Sequence, residues 1–140
     1  MANPVLLKSS LFLGFLNLLF VEIWNVPLLY RSYMWIGVST SVLNHGMTNY
    51  YIKHLDRAMM FANSFGDVYY IFAVKNEFLL LKFICCILFC VAIGSFFQAK
   101  FMIFEHNSGK NEIGNKHHLM SHLFITIEHF FMSYYFMFLK

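Results

Sequence analysis

Ser41 and His45 stand four residues apart, so a helix running through them carries both on one face. Asp56 lies eleven residues beyond His45, and His118 and His122 form a second pair at i, i+4. That second spacing lets two imidazoles converge on one metal ion. Three imidazoles, a carboxylate and a hydroxyl are the makeup of a catalytic zinc site, in which three protein ligands leave a fourth position for water. Taken singly, each residue has a plainer reading. Ser41 can be a packing hydroxyl, since polar side chains also join membrane helices by hydrogen bonds. Asp56 beside Arg57 can be an interfacial ion pair, and His117 and His118 can be headgroup contacts at a helix start. Only the joint arrangement favours a metal.

The elements that must position these groups are set by composition. Of 140 residues, 59% are hydrophobic and only 12% charged, with a mean hydropathy of +0.60. A soluble domain carries about 25% charged residues, so this chain lacks the polarity to face water all round. Eighteen Phe and eight Tyr suit a lipid-facing surface and its interfaces. The reading is an all-α integral membrane bundle, one domain over residues 1–140, with five spanning helices near 9–30, 32–52, 55–74, 78–99 and 117–139. Their joints are Arg31-Ser32, the run Lys53 to Arg57, Lys75 to Glu77, and a loop from Glu105 to Lys116. Pro27 is expected to kink or fray the end of the first helix. That helix is too long for a signal-peptide core and has no small-x-small cleavage site. Cys85, Cys86 and Cys90 have neither disulfide-framework nor zinc-knuckle spacing and read as buried apolar side chains. No basic run points to nucleic acid.

Five spans put the N-terminus, the second joint and the long loop on one side of the membrane. That side holds Lys8, Lys53, Arg57, Lys100, Lys110 and Lys116, against Arg31, Lys75, Lys82 and Lys140 on the other. The excess of positive charge places the N-terminus and the candidate zinc site on the cytoplasmic side. The same parity brings the end of the second helix, the start of the third and the start of the fifth to one membrane face. Ser41, His45, Asp56, His118 and His122 therefore share a depth.

The pattern S-VLN-H-GMTNYYIKHL-D from Ser41 to Asp56, followed by H-LMS-H from His118 to His122, resembles the CREST superfamily of membrane hydrolases. That superfamily includes alkaline ceramidases, the adiponectin-receptor and progestin-receptor family, and lipid hydrolases of GPI-anchor remodelling. The His-to-Asp spacing is closer to the ceramidase and GPI-remodelling branches. By position, the resemblance implies that His45, His118 and His122 bind Zn2+ and that Ser41 and Asp56 contact its water. It implies zinc-dependent hydrolysis of a membrane lipid, an amide as in ceramide or an ester. The family has seven helices, so this chain would be a shortened member, with two helices missing between the third and the last. A protein partner or a second copy could then complete the bundle. Two other readings stand beside it: a non-catalytic accessory subunit of a larger membrane complex, and a zinc-containing receptor or scaffold.

Other polar residues fall inside the apolar runs, where they are costly and tend to be functional. Asp56, Asn63 and Asp67 share a face of the third helix, interrupted by Met60. His129 shares the face of His118 and lies about 16 Å deeper, too far to join the same metal. These groups are expected to line a hydrated cavity or to pair with one another. Glu22 and Asn25 read as a buried polar pair without a partner. Met34, Met59 and Met60 read as core or lipid contacts, and His54 and His106 as solvated loop residues.

Overall fold

The computed structural model describes residues 3–47, 49–104 and 108–138. The chain is all-α, with five long helices: α1 (Pro4–Ile23), α2 (Leu28–Gly46), α3 (Tyr50–Ala73), α4 (Leu79–Phe104) and α5 (Ser108–Met137). A short 3₁₀ turn, Asn76–Phe78, precedes α4. Contacts run round a ring, α1 with α2, α2 with α3, α4 with α5, and α5 back to α1. The ring closes sparsely between α3 and α4. At Gly14 an added Cβ would come within 2.6 Å of Val38 Cγ1, so α1 and α2 approach closely because that position has no side chain.

Local capping chemistry, more than charge, sets the helix ends. The first apolar run breaks at 24–27, earlier than the predicted end at residue 30. Asn25 has φ 48°, the left-handed region that Asn tolerates, and Pro27 serves as the N-cap of α2. The break also revises Glu22 and Asn25. Glu22 is exposed, lies 3.6 Å from the Arg31 guanidinium, and accepts from Trp35 Nε1 at 3.0 Å. Arg31 Nη2 donates to Asn25 Oδ1 at 2.8 Å. The second helix ends at Gly46 and the third begins at Tyr50, ahead of the predicted joint at Lys53 to Arg57. Asn49 caps α3, its side chain accepting from the backbone N–H of Tyr51 at 2.8 Å and Ile52 at 3.3 Å. Lys53, His54, Asp56 and Arg57 therefore lie inside α3, with His54 exposed but helical.

The predicted loop at Glu105 to Lys116 is largely helical. From Ser108 onward the chain is already α5, and Glu112 and Lys116 form an exposed i, i+4 ion pair at 2.9 Å. His106 lies outside the described residues. Lys82 closes the other end of the bundle, its Nζ donating to the carbonyl of Phe72 at 3.0 Å near the end of α3. Of the cysteines, Cys85 is buried as expected, whereas Cys86 is half-buried and Cys90 exposed, because they turn outward on α4.

Among the described residues, two helical stretches are long and apolar enough to cross a membrane, Pro4–Ile23 and Asn76–Met102. The remaining long helices, α2, α3 and α5, carry most of the polar side chains that face inward. The interior is divided accordingly. An apolar cluster of Val21, Tyr30, Met34, Ile71, Cys85 and Met132 fills one part of the ring. Elsewhere many of the buried residues are polar, among them Ser9, Asn17, Thr40, His45, Asp56, Asp67, His118, Glu128 and His129.

Candidate metal centre

His45 ends α2, and His118 and His122 lie on successive turns of α5. One hydrogen-bonded corner brings those segments together. The Asn3 backbone N–H donates to the His45 carbonyl at 3.2 Å. The Asn3 side chain caps α1 by accepting from the Leu6 N–H at 3.2 Å and donates through Nδ2 to Asn115 Oδ1 at 2.9 Å. A single residue thus pins the start of α1 to the end of α2 and to α5.

The three imidazoles meet. Ring centroids are 5.1 Å apart for His45 and His118, 5.6 Å for His45 and His122, and 4.8 Å for His118 and His122. One ring nitrogen from each lies within 4.8 Å of the others. His45 and His118 are buried and His122 is half-buried.

The hydrogen bonds of His122 fix which nitrogen is free. Ser9 Oγ donates its one proton to the Leu6 carbonyl at 2.9 Å. Its 3.0 Å contact with His122 Nδ1 must then run the other way, with Nδ1–H donating to the hydroxyl oxygen. In the neutral ring this leaves Nε2 with a lone pair, the state a metal requires. Phe96 walls the group, its ring 5.7 Å from that of His118, and Lys100 Nζ lies over the Phe96 ring at 4.8 Å.

Ser41 and Asp56 line the same cavity of about 150 Å³. Asp56 is buried, and its Oδ2 accepts from Asn44 Nδ2 at 2.6 Å. Asp56 lines the cavity with the imidazoles and is not part of their group. Ser41 Oγ shares a 3.1 Å hydrogen bond with Ser10 Oγ. Three neutral nitrogens converging on one point, with a carboxylate and a hydroxyl nearby, suit a divalent ion that retains an open position.

Sequence reasoning missed the supporting residues Ser9, Ser10, Asn44 and Asn3. Ser9 and Ser10 did carry a signal, as the paired hydroxyls at the head of an otherwise apolar run. Deeper in the cavity, His129 comes within 3.4 Å of Asp67 and 3.5 Å of Glu128. Asn17 Nδ2 donates to Thr126 Oγ1 at 3.2 Å between the two levels. No protein-family model matches this chain, and no curated protein or solved structure matches it.

Proposed function

We propose that this chain is a multi-pass membrane hydrolase that uses zinc held by His45, His118 and His122 to cleave an amide or ester bond in a membrane lipid. The observation that carries the reading is the meeting of those imidazoles beside Ser41 and Asp56. The resemblance of these five residues to the CREST superfamily pattern supplies the substrate class. The membrane setting is supported by the inversion of polarity. Phe12, Phe15, Phe61, Phe65, Phe72 and Phe83 are exposed, while histidines and carboxylates lie inside. Such a surface is stable in hydrocarbon and costly in water. α4, among the most apolar helices, is only lightly buried by its neighbours.

Zinc supplies, when bound, a Lewis acid for the scissile carbonyl and the acidity that draws a nucleophile from water at neutral pH. The chain's residues do the rest. Asp56, oriented by Asn44, takes the proton from the attacking water and returns it to the leaving amine or alkoxide. Ser41, positioned by Ser10, donates a hydrogen bond to the oxygen on which negative charge develops. The products are a fatty acid and the amine or alcohol it had capped. The sparse seam between α3 and α4 is a lateral route by which a lipid could bring its linkage to the cavity with its tail still in the bilayer.

The test is turnover. Purified protein in lipid nanodiscs is supplied with ceramide and with a diacyl ester, and free fatty acid is measured with and without a zinc chelator. The reading requires release that the chelator stops and zinc restores. Bound zinc without release would favour the receptor or scaffold reading. Absence of zinc would favour the accessory subunit. Membrane topology has its own test: cysteines placed at positions 2 and 140 of a cysteine-free protein should react from opposite sides.

A further inference from the structure

A second ligand cluster lies deeper in the cavity, and the hydrolysis described above makes no use of it. Asp67 on α3 and Glu128 and His129 on α5 are all buried, Glu128 completely. A carboxylate oxygen or ring nitrogen from each lies within 4.8 Å of the others. Neither carboxylate oxygen of Glu128 and neither ring nitrogen of His129 has a hydrogen-bond partner. A buried carboxylate without partners is among the costliest groups a fold can hold, and such groups are ordinarily paired or bound to a metal.

The distances are compatible with a shared ion. His129 Nε2 lies 3.4 Å from Asp67 Oδ1 and 3.5 Å from Glu128 Oε2, beyond the usual length of a charge-assisted hydrogen bond. They match the separation of about 3.3 Å between neighbouring donors on a tetrahedral ion with bonds of 2.0–2.1 Å. The placement repeats that of the outer level. Asp56 and Asp67 are eleven residues apart on α3, and His118 and His129 are eleven apart on α5. Eleven residues are close to three whole turns, so each helix presents both levels on one face, about 16 Å apart.

We infer that Asp67, Glu128 and His129 form a second binding site, for a divalent first-row metal ion such as zinc. Two carboxylates neutralise the ion, and the imidazole selects it over calcium or magnesium, which prefer all-oxygen sites. The ion joins α3 to α5 across the cavity, where α3 has only sparse direct contact with that side of the ring. The inference stands independently of the outer centre and of lipid hydrolysis.

Zinc stoichiometry tests it. The full chain in nanodiscs is stripped with chelator, dialysed against zinc, and its metal measured by mass spectrometry. Wild type should hold about two equivalents; Asp67→Asn, Glu128→Gln and His122→Ala about one each; and the Glu128→Gln, His122→Ala double variant none. A wild type with about one equivalent that Glu128→Gln leaves untouched overturns the deep site and spares the outer one. The same content abolished by Glu128→Gln and kept in His122→Ala supports the deep site and removes the outer one. Should Glu128→Gln fail to fold, His122→Ala decides: retained zinc supports the deep site, and loss of all zinc overturns it.

Discussion

The outer and deep levels of the cavity use similar elements and differ in charge and in support. At the outer level the donors are neutral imidazoles, and the groups around them are satisfied: His122 by Ser9, Asp56 by Asn44, Ser41 by Ser10. At the deep level two of the three donors are carboxylates, and none of the donor atoms of Glu128 and His129 has a hydrogen-bond partner. Neutral donors, one of them backed by Ser9, can wait for an ion at little cost, and an open coordination position would stay available for chemistry. The buried Glu128 carboxyl, without hydrogen-bond partners, cannot wait cheaply. On the proposed reading, the outer level serves turnover and the deep level holds the bundle together.

The largest effect that could break this contrast is at His122. Its replacement by Ala should reduce lipid hydrolysis to background in a fatty-acid release assay while the protein still folds, because the outer donors are neutral. Asp56→Asn should lower kcat by about 10²–10⁴-fold, the range of a lost general acid–base, with zinc content unchanged. Undiminished hydrolysis by that variant would remove Asp56 from the mechanism.

The deep level predicts a reversal of sign. In metal-stripped protein, Glu128→Leu removes a buried carboxyl that has no hydrogen-bond partner and should stabilise by about 1–3 kcal/mol, read as a raised Tm. In zinc-loaded protein the same change should lower Tm, because the link between α3 and α5 is lost. A shift in the same direction in both states would erase the distinction between the levels. The smallest effect is at Ser9. Ser9→Ala frees Nδ1 of His122 and should weaken zinc binding about 10–100-fold, as loss of a group behind a metal ligand does. It should be measured by competition with a chelating dye.

The grouping of His45, His118 and His122 was legible in the sequence because helical spacing and the parity of the helix count are both arithmetic. Neither depends on where a helix ends, so misplacing the breaks left the grouping intact. The breaks themselves were misread because charge was used as the boundary marker. Lys53 to Arg57 carry charge but nothing that stops a helix, whereas Asn49 caps one and Asn25 with Pro27 ends one. Glu22 was misjudged for the same reason: moving the end of α1 to Ile23 turned a presumed interior carboxylate into an exposed partner of Arg31. Ser9 and Ser10 stood out as paired hydroxyls, but their partners, like that of Asn44, were not legible, since contacts between helices are not encoded by spacing within one helix. Glu128 was overlooked because it lies about 100° round the helix from His129, off the face being followed, yet α5 is enclosed widely enough to bury both.

The central claim is that His45, His118 and His122 share one zinc ion. X-ray absorption at the zinc edge, on Glu128→Gln protein loaded with about one equivalent, isolates the outer level. The account predicts nitrogen and oxygen donors at about 2.0–2.1 Å, with outer-shell scattering from three imidazoles that falls to two in the further variant His45→Ala. A spectrum without imidazole scattering, or one that His45→Ala leaves unchanged, would contradict it.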